Sequence, residues 1–202
     1  MTRIWAAVVV AVALVVGGCT SSSSSTGPEP TFSPNPKHAE LLARADLAPC
    51  PPSTTGTVSG GLPNVTLPCL GHGPAVRLGG LRGRPLVLNI WGSWCRPCQK
   101  ETKFFAQAYD EMKPGVRFLG VDTEESDPDS ALDFAAHVSP PMRYPSVLDE
   151  DRKVLIELHG PIAVPSTVFV RADGTVVKQV SSAYDSLAQL RADIARYLGV
   201  RR

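Results

Sequence analysis

The run Pro85-Leu86-Val87-Leu88-Asn89-Ile90-Trp91 leads straight into Gly92-Ser93-Trp94-Cys95-Arg96-Pro97-Cys98. This junction constrains the fold more than any other segment. The first part is short and apolar, as in a strand buried on both faces. Gly92 and Ser93 turn the chain, and the pattern predicts a helix from about 95 to 112, ended by Pro114-Gly115. The next strand is expected at 116–121. A helix over 127–137 follows, with Asp127-Pro128 as cap and first turn. Then come a strand at 144–148 and a short helix at 151–159. Strands 166–171 and 175–180 close a hairpin around Asp173-Gly174, and 185–198 reads as an amphipathic closing helix. Upstream, 39–47 reads as a short helix and 48–75 as loop. The expected fold class is therefore α/β, a central mixed β-sheet flanked by helices.

The same junction carries the chemistry. A cysteine at a helix N-terminus faces the unsatisfied N–H groups of the first turn and the positive end of the helix dipole. That setting favours thiolate and marks Cys95 as the attacking nucleophile. Cys98, three residues on, shares its face and can resolve a mixed disulfide formed at Cys95. Arg96 adds positive charge nearby, and Pro97 stiffens the first turn. Zinc would need two further ligands, and the sequence has no second C-x-x-C and no H-x-x-x-H. Covalent haem needs histidine directly after the second cysteine, where Gln99 stands. His38, His72, His137 and His159 show no ligand spacing and read as surface or loop residues. No cofactor or metal is expected.

Five cysteines are an odd number, so at least one needs a fate other than an internal disulfide. Residues 4–16 form an apolar run that suits the h-region of a signal peptide and is short for a membrane span, which needs roughly 20 residues. The run ends in Val16-Gly17-Gly18-Cys19, small residues before a cysteine, as in a bacterial lipobox. The reading is a leader at 1–18 and lipid on Cys19; an uncleaved anchor is the alternative. Either places the rest of the chain at the extracytoplasmic face of the membrane. Residues 19–37, rich in Ser, Thr and Pro, bury too little to order themselves and read as a flexible tether, leaving 38–202 as the folded domain, an extension at 38–75 and a core at 76–200. Twenty Lys and Arg against nineteen Asp and Glu give no basic footprint for nucleic acid.

The segment Leu88-Asn89-Ile90-Trp91-Gly92-Ser93-Trp94-Cys95-Arg96-Pro97-Cys98-Gln99-Lys100-Glu101, with Gly-Val-Asp at 120–122 and Val164-Pro165, resembles the TlpA/ResA-like (DsbE-like) branch of the thioredoxin family over about residues 75–200. The resemblance implies a thioredoxin-like fold with a helix–strand insertion around 127–149, and extracytoplasmic thiol–disulfide oxidoreductase activity. By position it implies Cys95 as nucleophile and Cys98 as resolving cysteine. It makes Pro165 a cis-proline across from the disulfide, where the preceding backbone can pair with a substrate strand; otherwise Pro165 is an ordinary loop proline. Glu101 matches an acid near the cysteine pair that tunes its proton transfers; otherwise it is a solvated helix residue. At i and i+3, Cys98 and Glu101 share a helix face, which would desolvate the acid and raise its pKa. Asn89 stands where thioredoxins carry a buried Asp and cannot ionise. Trp94 resembles the aromatic beside the site, and Trp91 reads as core. Lys103 departs from a proline often found there, which implies a straighter helix.

With Cys19 lipidated and Cys95–Cys98 as the active pair, Cys50 and Cys69 remain. Their economical reading is a structural disulfide; a second redox pair relaying electrons to Cys95–Cys98 is the rival. The function expected is a membrane-anchored protein thiol–disulfide oxidoreductase. As a reductant it would serve cytochrome c maturation, acting on apocytochrome c with electrons from a CcdA-type membrane partner. As an oxidant it would form disulfides in secreted proteins. A non-catalytic surface binding module is the other class. Mass spectrometry of protein from native membranes should find an acylated N-terminal Cys19; an intact Met1 there would refute the anchor.

Overall fold

The computed structural model describes residues 36–201. The expected leader, Cys19 and the tether as far as residue 35 lie outside the described residues. Strand β3, Leu86–Trp91, is buried along its whole length. It sits at the centre of a five-stranded sheet ordered β5-β4-β3-β6-β7. β4 (Arg117–Thr123) runs parallel to β3, and β5 (Ser146–Asp149) runs parallel to β4. On the other side β6 (Ser166–Val170) is antiparallel to β3, and β7 (Val176–Val180) is antiparallel to β6. Gly174, at φ 95°, makes the hairpin turn at a position that strongly favours glycine.

The helices form where their caps permit. α2 spans Arg96–Met112 as one uninterrupted helix, in line with the absence of a proline at 103. α3 (Pro128–His137) is capped by the Asp127 carboxylate, and α5 (Leu187–Leu198) by the Ser186 hydroxyl, ending at Gly199 in the left-handed region. α3 and β5 supply the expected helix–strand insertion. Two boundaries differ from expectation. α1 runs Pro36–Ala45, so Pro36 and Lys37 are helical rather than tether. α4 is only Lys153–Glu157, because Arg152 (φ 57°) and His159 (φ 54°) adopt left-handed backbone at its two ends.

Alternation along β3 sorts the core into two clusters. Val87 and Trp91 join Phe118, Phe169 and the apolar faces of α1, α2, α3 and α5. Leu86, Leu88 and Ile90 join Leu119, Val121, Val168 and α4 on the opposite side. That second face is closed chiefly by residues 50–81, of which the part up to 75 is the segment expected as loop. Leu62, Val65, Leu67, Val76, Leu78 and Leu81 all bury there, each worth roughly 1.5–3 kcal/mol. Within it β1 (Thr66–Leu67) pairs with β2 (Val76–Arg77), and a 3₁₀ turn follows at Leu78–Gly80. The segment also reaches both sheet edges, bridging Cys69 to Val147 of β5 and Gly61 to Thr175 beside β7. Its apolar residues lack a helical or strand period, which is why the sequence reads as loop. His38 differs too: it lies on α1, its side chain is 13% exposed, and Nδ1 meets Asp129 Oδ1 at 2.6 Å, tying α1 to α3.

Cys50 and Cys69 are disulfide-bonded, with Cα atoms 6.0 Å apart. The bond holds the start of the covering segment to the β5 edge, where Leu70 N–H donates to Ser146 O and Leu148 N–H donates to Pro68 O. Replacing both cysteines with alanine should lower the unfolding free energy by about 3 kcal/mol, the chain-entropy value for a loop of this length. Urea unfolding of the double variant measures it, and an unchanged midpoint would refute the staple.

Candidate active site

β3 ends at Trp91, and three residues carry the chain over to α2. A Cβ at Gly92 would overlap the Trp94 indole and lie 3.2 Å from the Thr123 carbonyl oxygen, so the turn needs glycine. Ser93 is held by Glu125, whose Oε2 accepts from both its backbone N–H and its hydroxyl. Trp94 Nε1–H donates to Thr123 O at 3.1 Å while 48% of the residue stays exposed. Trp91 is buried and packs against Phe134, with ring centroids 5.5 Å apart.

Cys95 is the N-cap of α2 in extended backbone, and its Sγ accepts from the Cys98 backbone N–H at 3.2 Å. The sulfur thus takes the place that a Ser or Asp oxygen fills in an ordinary cap. Cys95 and Cys98 are joined by a disulfide with Cα atoms 5.3 Å apart. Cys98 is fully buried and Cys95 is 3% exposed, while Trp94, Arg96 and Pro97 around them face solvent. The Val164–Pro165 peptide is cis. Ser166 pairs with Ile90, so Pro165 lies at the end of the sheet where β3 hands over to the cysteines, and Val164 packs against the cluster that contains both.

Glu101 lies one turn below Cys98 and is 1% exposed. Its Oε1 accepts from Asn89 Nδ2–H at 3.2 Å, and its Oε2 from the Tyr184 backbone N–H at 2.8 Å. Asn89 Oδ1 accepts from the Tyr144 hydroxyl at 3.0 Å. Burial raises the Glu101 pKa to about 7, although both donors favour the carboxylate. Burial, and next the Glu101 charge, push Tyr144 well above the usual phenol range, so its hydroxyl stays a donor.

Sequence reasoning brought Cys95, Cys98, Glu101 and Pro165 to this end of the sheet. It missed Tyr144 and Tyr184, which reach Glu101's surroundings from distant segments and leave no local pattern. It also passed over Asp122 as part of a motif. Asp122 pairs in register with Trp91, is fully buried and, among the described residues, has no hydrogen-bond partner on either oxygen. Burial, then the Glu125 charge, raises its pKa to about 8. A lone acid inside an apolar strand was the available signal. Cys50 is on the other face of the sheet from Cys95 and Cys98, and Cys19 lies outside the described residues.

A five-stranded mixed sheet with a C-x-x-C disulfide capping the helix after its central strand, and a cis-proline at the same end, defines a thioredoxin-like protein. The chain belongs to the AhpC/TSA family, which matches residues 58–179, and it stands with the ResA-like thioredoxin-fold proteins. It is 35% identical over 114 residues to the thiol-disulfide oxidoreductase ResA of Bacillus subtilis strain 168, a match covering 54% of this chain and 60% of that protein. It is 32% identical over 125 residues to ResA of Geobacillus kaustophilus, covering 60% and 66%. Both matches thus fall short of two thirds of the relative's length. A secreted Mycobacterium tuberculosis disulfide oxidoreductase homologous to E. coli DsbE superposes with a TM-score of 0.56 at 27% identity, over 66% of this chain and 96% of that one.

The two buried acids fix a sign for the pH dependence of stability. Their ordinary values are 4.5 and 3.8, and folding raises them to about 7 and about 8. Between these limits the folded chain holds protons that the unfolded chain has released, so stability falls as pH rises from about 4 to 8. Urea unfolding of the oxidised protein should show a loss of several kcal/mol, up to about 6 kcal/mol, between pH 5 and 8. Glu101→Gln and Asp122→Asn should each flatten the decline. Stability that is level or rises over this range would contradict the burial of these acids.

Proposed function

We propose that the protein is an extracytoplasmic thiol–disulfide oxidoreductase acting on protein cysteines, tethered to the membrane through lipid on Cys19. The observation that carries the reading is the Cys95–Cys98 disulfide at the N-terminus of α2, with a buried acid one turn behind it. The named activity of the ResA relatives supports it, and the secreted character of the M. tuberculosis protein supports its compartment.

In the reducing direction, the reduced pair meets a substrate disulfide. The Cys95 thiolate attacks one substrate sulfur, forming a mixed disulfide and releasing the other as a thiolate. Cys98 then loses its proton and attacks Cys95 Sγ. The Cys95–Cys98 bond forms, the second substrate sulfur leaves as a thiolate, and two electrons have passed to the substrate. Glu101 takes the role of proton acceptor for Cys98, and of donor when the pair is reduced again, since its pKa near 7 suits both. Pro165 takes the role of presenting the Val164 backbone to an extended substrate segment.

A carboxylate behind Cys98 opposes thiolate there, and a pair whose reduced form is less stabilised is the better reductant. This favours the reducing role, with apocytochrome c as substrate and a CcdA-type membrane protein as electron source. The oxidant and the binding module are the readings it displaces. Cys50–Cys69 is read as a staple, since the sheet separates it from the active pair.

Cys98→Ser should accumulate mixed disulfides with substrate proteins, seen on non-reducing gels, while Cys95→Ser should accumulate few. The wild type should reduce insulin in the presence of dithiothreitol, and Glu101→Gln should slow it about 10²-fold. The reduction potential should lie nearer the roughly −270 mV of thioredoxin than the roughly −120 mV of DsbA. A potential near the latter would assign the oxidising role, and trapping through Cys98 alone would reverse the two cysteines.

A further inference from the structure

The sheet has a second pole. β3 starts at Leu86 and ends at Trp91 beside the disulfide, so its two ends are roughly 17 Å apart at the usual strand rise. Around the starting end lies a cleft of about 380 Å³. Arg84, Lys113 and Arg117 line it, with Tyr109 and the prolines Pro49, Pro51 and Pro145 as less polar walls.

The charges in this cleft are unbalanced. Lys113 pairs with Asp110 at 3.1 Å on the open surface and leans over the Tyr109 ring. Arg84 donates to the Lys113 carbonyl oxygen at 2.5 Å, which leaves its positive charge uncompensated. Arg117 is half-buried. Among the described residues, neither guanidinium has a carboxylate within ion-pair distance. Burial, and then the Arg84 charge, lower the Arg117 pKa. Two cations held together without a counter-charge repel, and the half-buried one has also lost hydration. An anion received between them would offset that cost.

The cleft is also held in shape. Ala48 N–H donates to Arg143 O and Cys50 N–H donates to His72 O, both at 2.8 Å. The Cys50–Cys69 disulfide closes the same wall. On the other side the Arg117 N–H donates to Pro85 O at 2.8 Å, fixing the backbone between the two arginines. The cations are thus carried by the turn before β3, the end of α2 and the start of β4, facing a disulfide-bound wall, and guanidinium forks match phosphate oxygens two at a time.

We infer that the cleft between Arg84, Lys113 and Arg117 is a binding site for a phosphate group, at the pole of the sheet opposite the C-x-x-C disulfide. The phosphate could be carried by a soluble molecule or by a phospholipid headgroup, and the chemistry of capture is the same. The prolines and Tyr109 would receive the less polar body that bears it.

The test uses the full, oxidised chain and two probes at constant ionic strength. Inorganic phosphate is titrated against a chloride control, following backbone amide NMR shifts. Vesicles of phosphatidylglycerol are compared with vesicles of phosphatidylcholine by co-sedimentation. Phosphate should shift Tyr109, Arg117 and Phe118, and Arg84→Gln and Arg117→Gln should each weaken binding at least ten-fold. Arg117→Lys should retain part of it, and insulin reduction should be unchanged in all three. Arginine-dependent sedimentation with phosphatidylglycerol would assign the headgroup, and an arginine-dependent response to phosphate alone would assign a soluble ligand. Arg84 is exposed, so Arg84→Gln keeps the test valid should Arg117 variants unfold. Absence of binding in both arms, or binding that survives Arg84→Gln unchanged, would overturn the inference.

Discussion

Everything in this molecule is registered against β3. Its six residues are buried on both faces, so a slip of one position would exchange the two sets of side chains. Leu86, Leu88 and Ile90 would then face the helices, while Val87, Asn89 and Trp91 would face the covering segment. The parallel register with β4 and the antiparallel register with β6 both hold the strand in place. That register points Asn89 at α2 and leaves Trp91 as the last residue before the turn. The Cys95–Cys98 disulfide is thus positioned by apolar packing four to nine residues upstream of Cys95.

From that placement follows a chain of buried polar contacts across the helical layer. The Tyr144 hydroxyl gives to Asn89, Asn89 gives to Glu101, and Glu101 also accepts from the Tyr184 backbone. The residues come from the segment before β5, from β3, from α2 and from the loop before α5. A buried polar group left unmatched costs more than a matched one returns, so this chain ties four segments to one geometry. The helix that starts at the two cysteines is anchored at its second turn by a buried acid one turn behind Cys98.

The strand–turn–helix junction, the hairpin and the capped helices were legible because each has a local period or a local punctuation residue. Cys95 and Cys98 could be named for the same reason, from a C-x-x-C directly after a strand, whereas Glu101 and Pro165 were named only through the family resemblance. The covering of the second sheet face was not legible. Leu62, Val65, Leu67 and Leu78 bury against the sheet from a segment with only two-residue strands, and a period needs more residues than that to show. His38 was misplaced because its partner Asp129 is 91 positions away. Tyr144 and Tyr184 were missed on the same ground, since their value lies in what the fold brings to Glu101.

The two buried acids on this face show why an amide at position 89 matters. Among the described residues Asp122 has no donor to either oxygen, and burial followed by the Glu125 charge pushes it further from its ordinary value than Glu101, which has two donors. Burial alone would therefore make Glu101 a stronger proton holder than it is. Asn89 moderates it, but only when its amide is turned the right way. The Tyr144 hydroxyl fits that turn. Kept protonated by its own burial, it is able to donate to the Asn89 oxygen, which leaves the amide N–H for the Glu101 carboxylate, an acceptor only. A carboxylate at position 89 would set two like charges against each other, and one of the pair would hold its proton well above neutral pH. With the amide there, the charge is confined to Glu101 and its affinity for a proton is brought back toward pH 7.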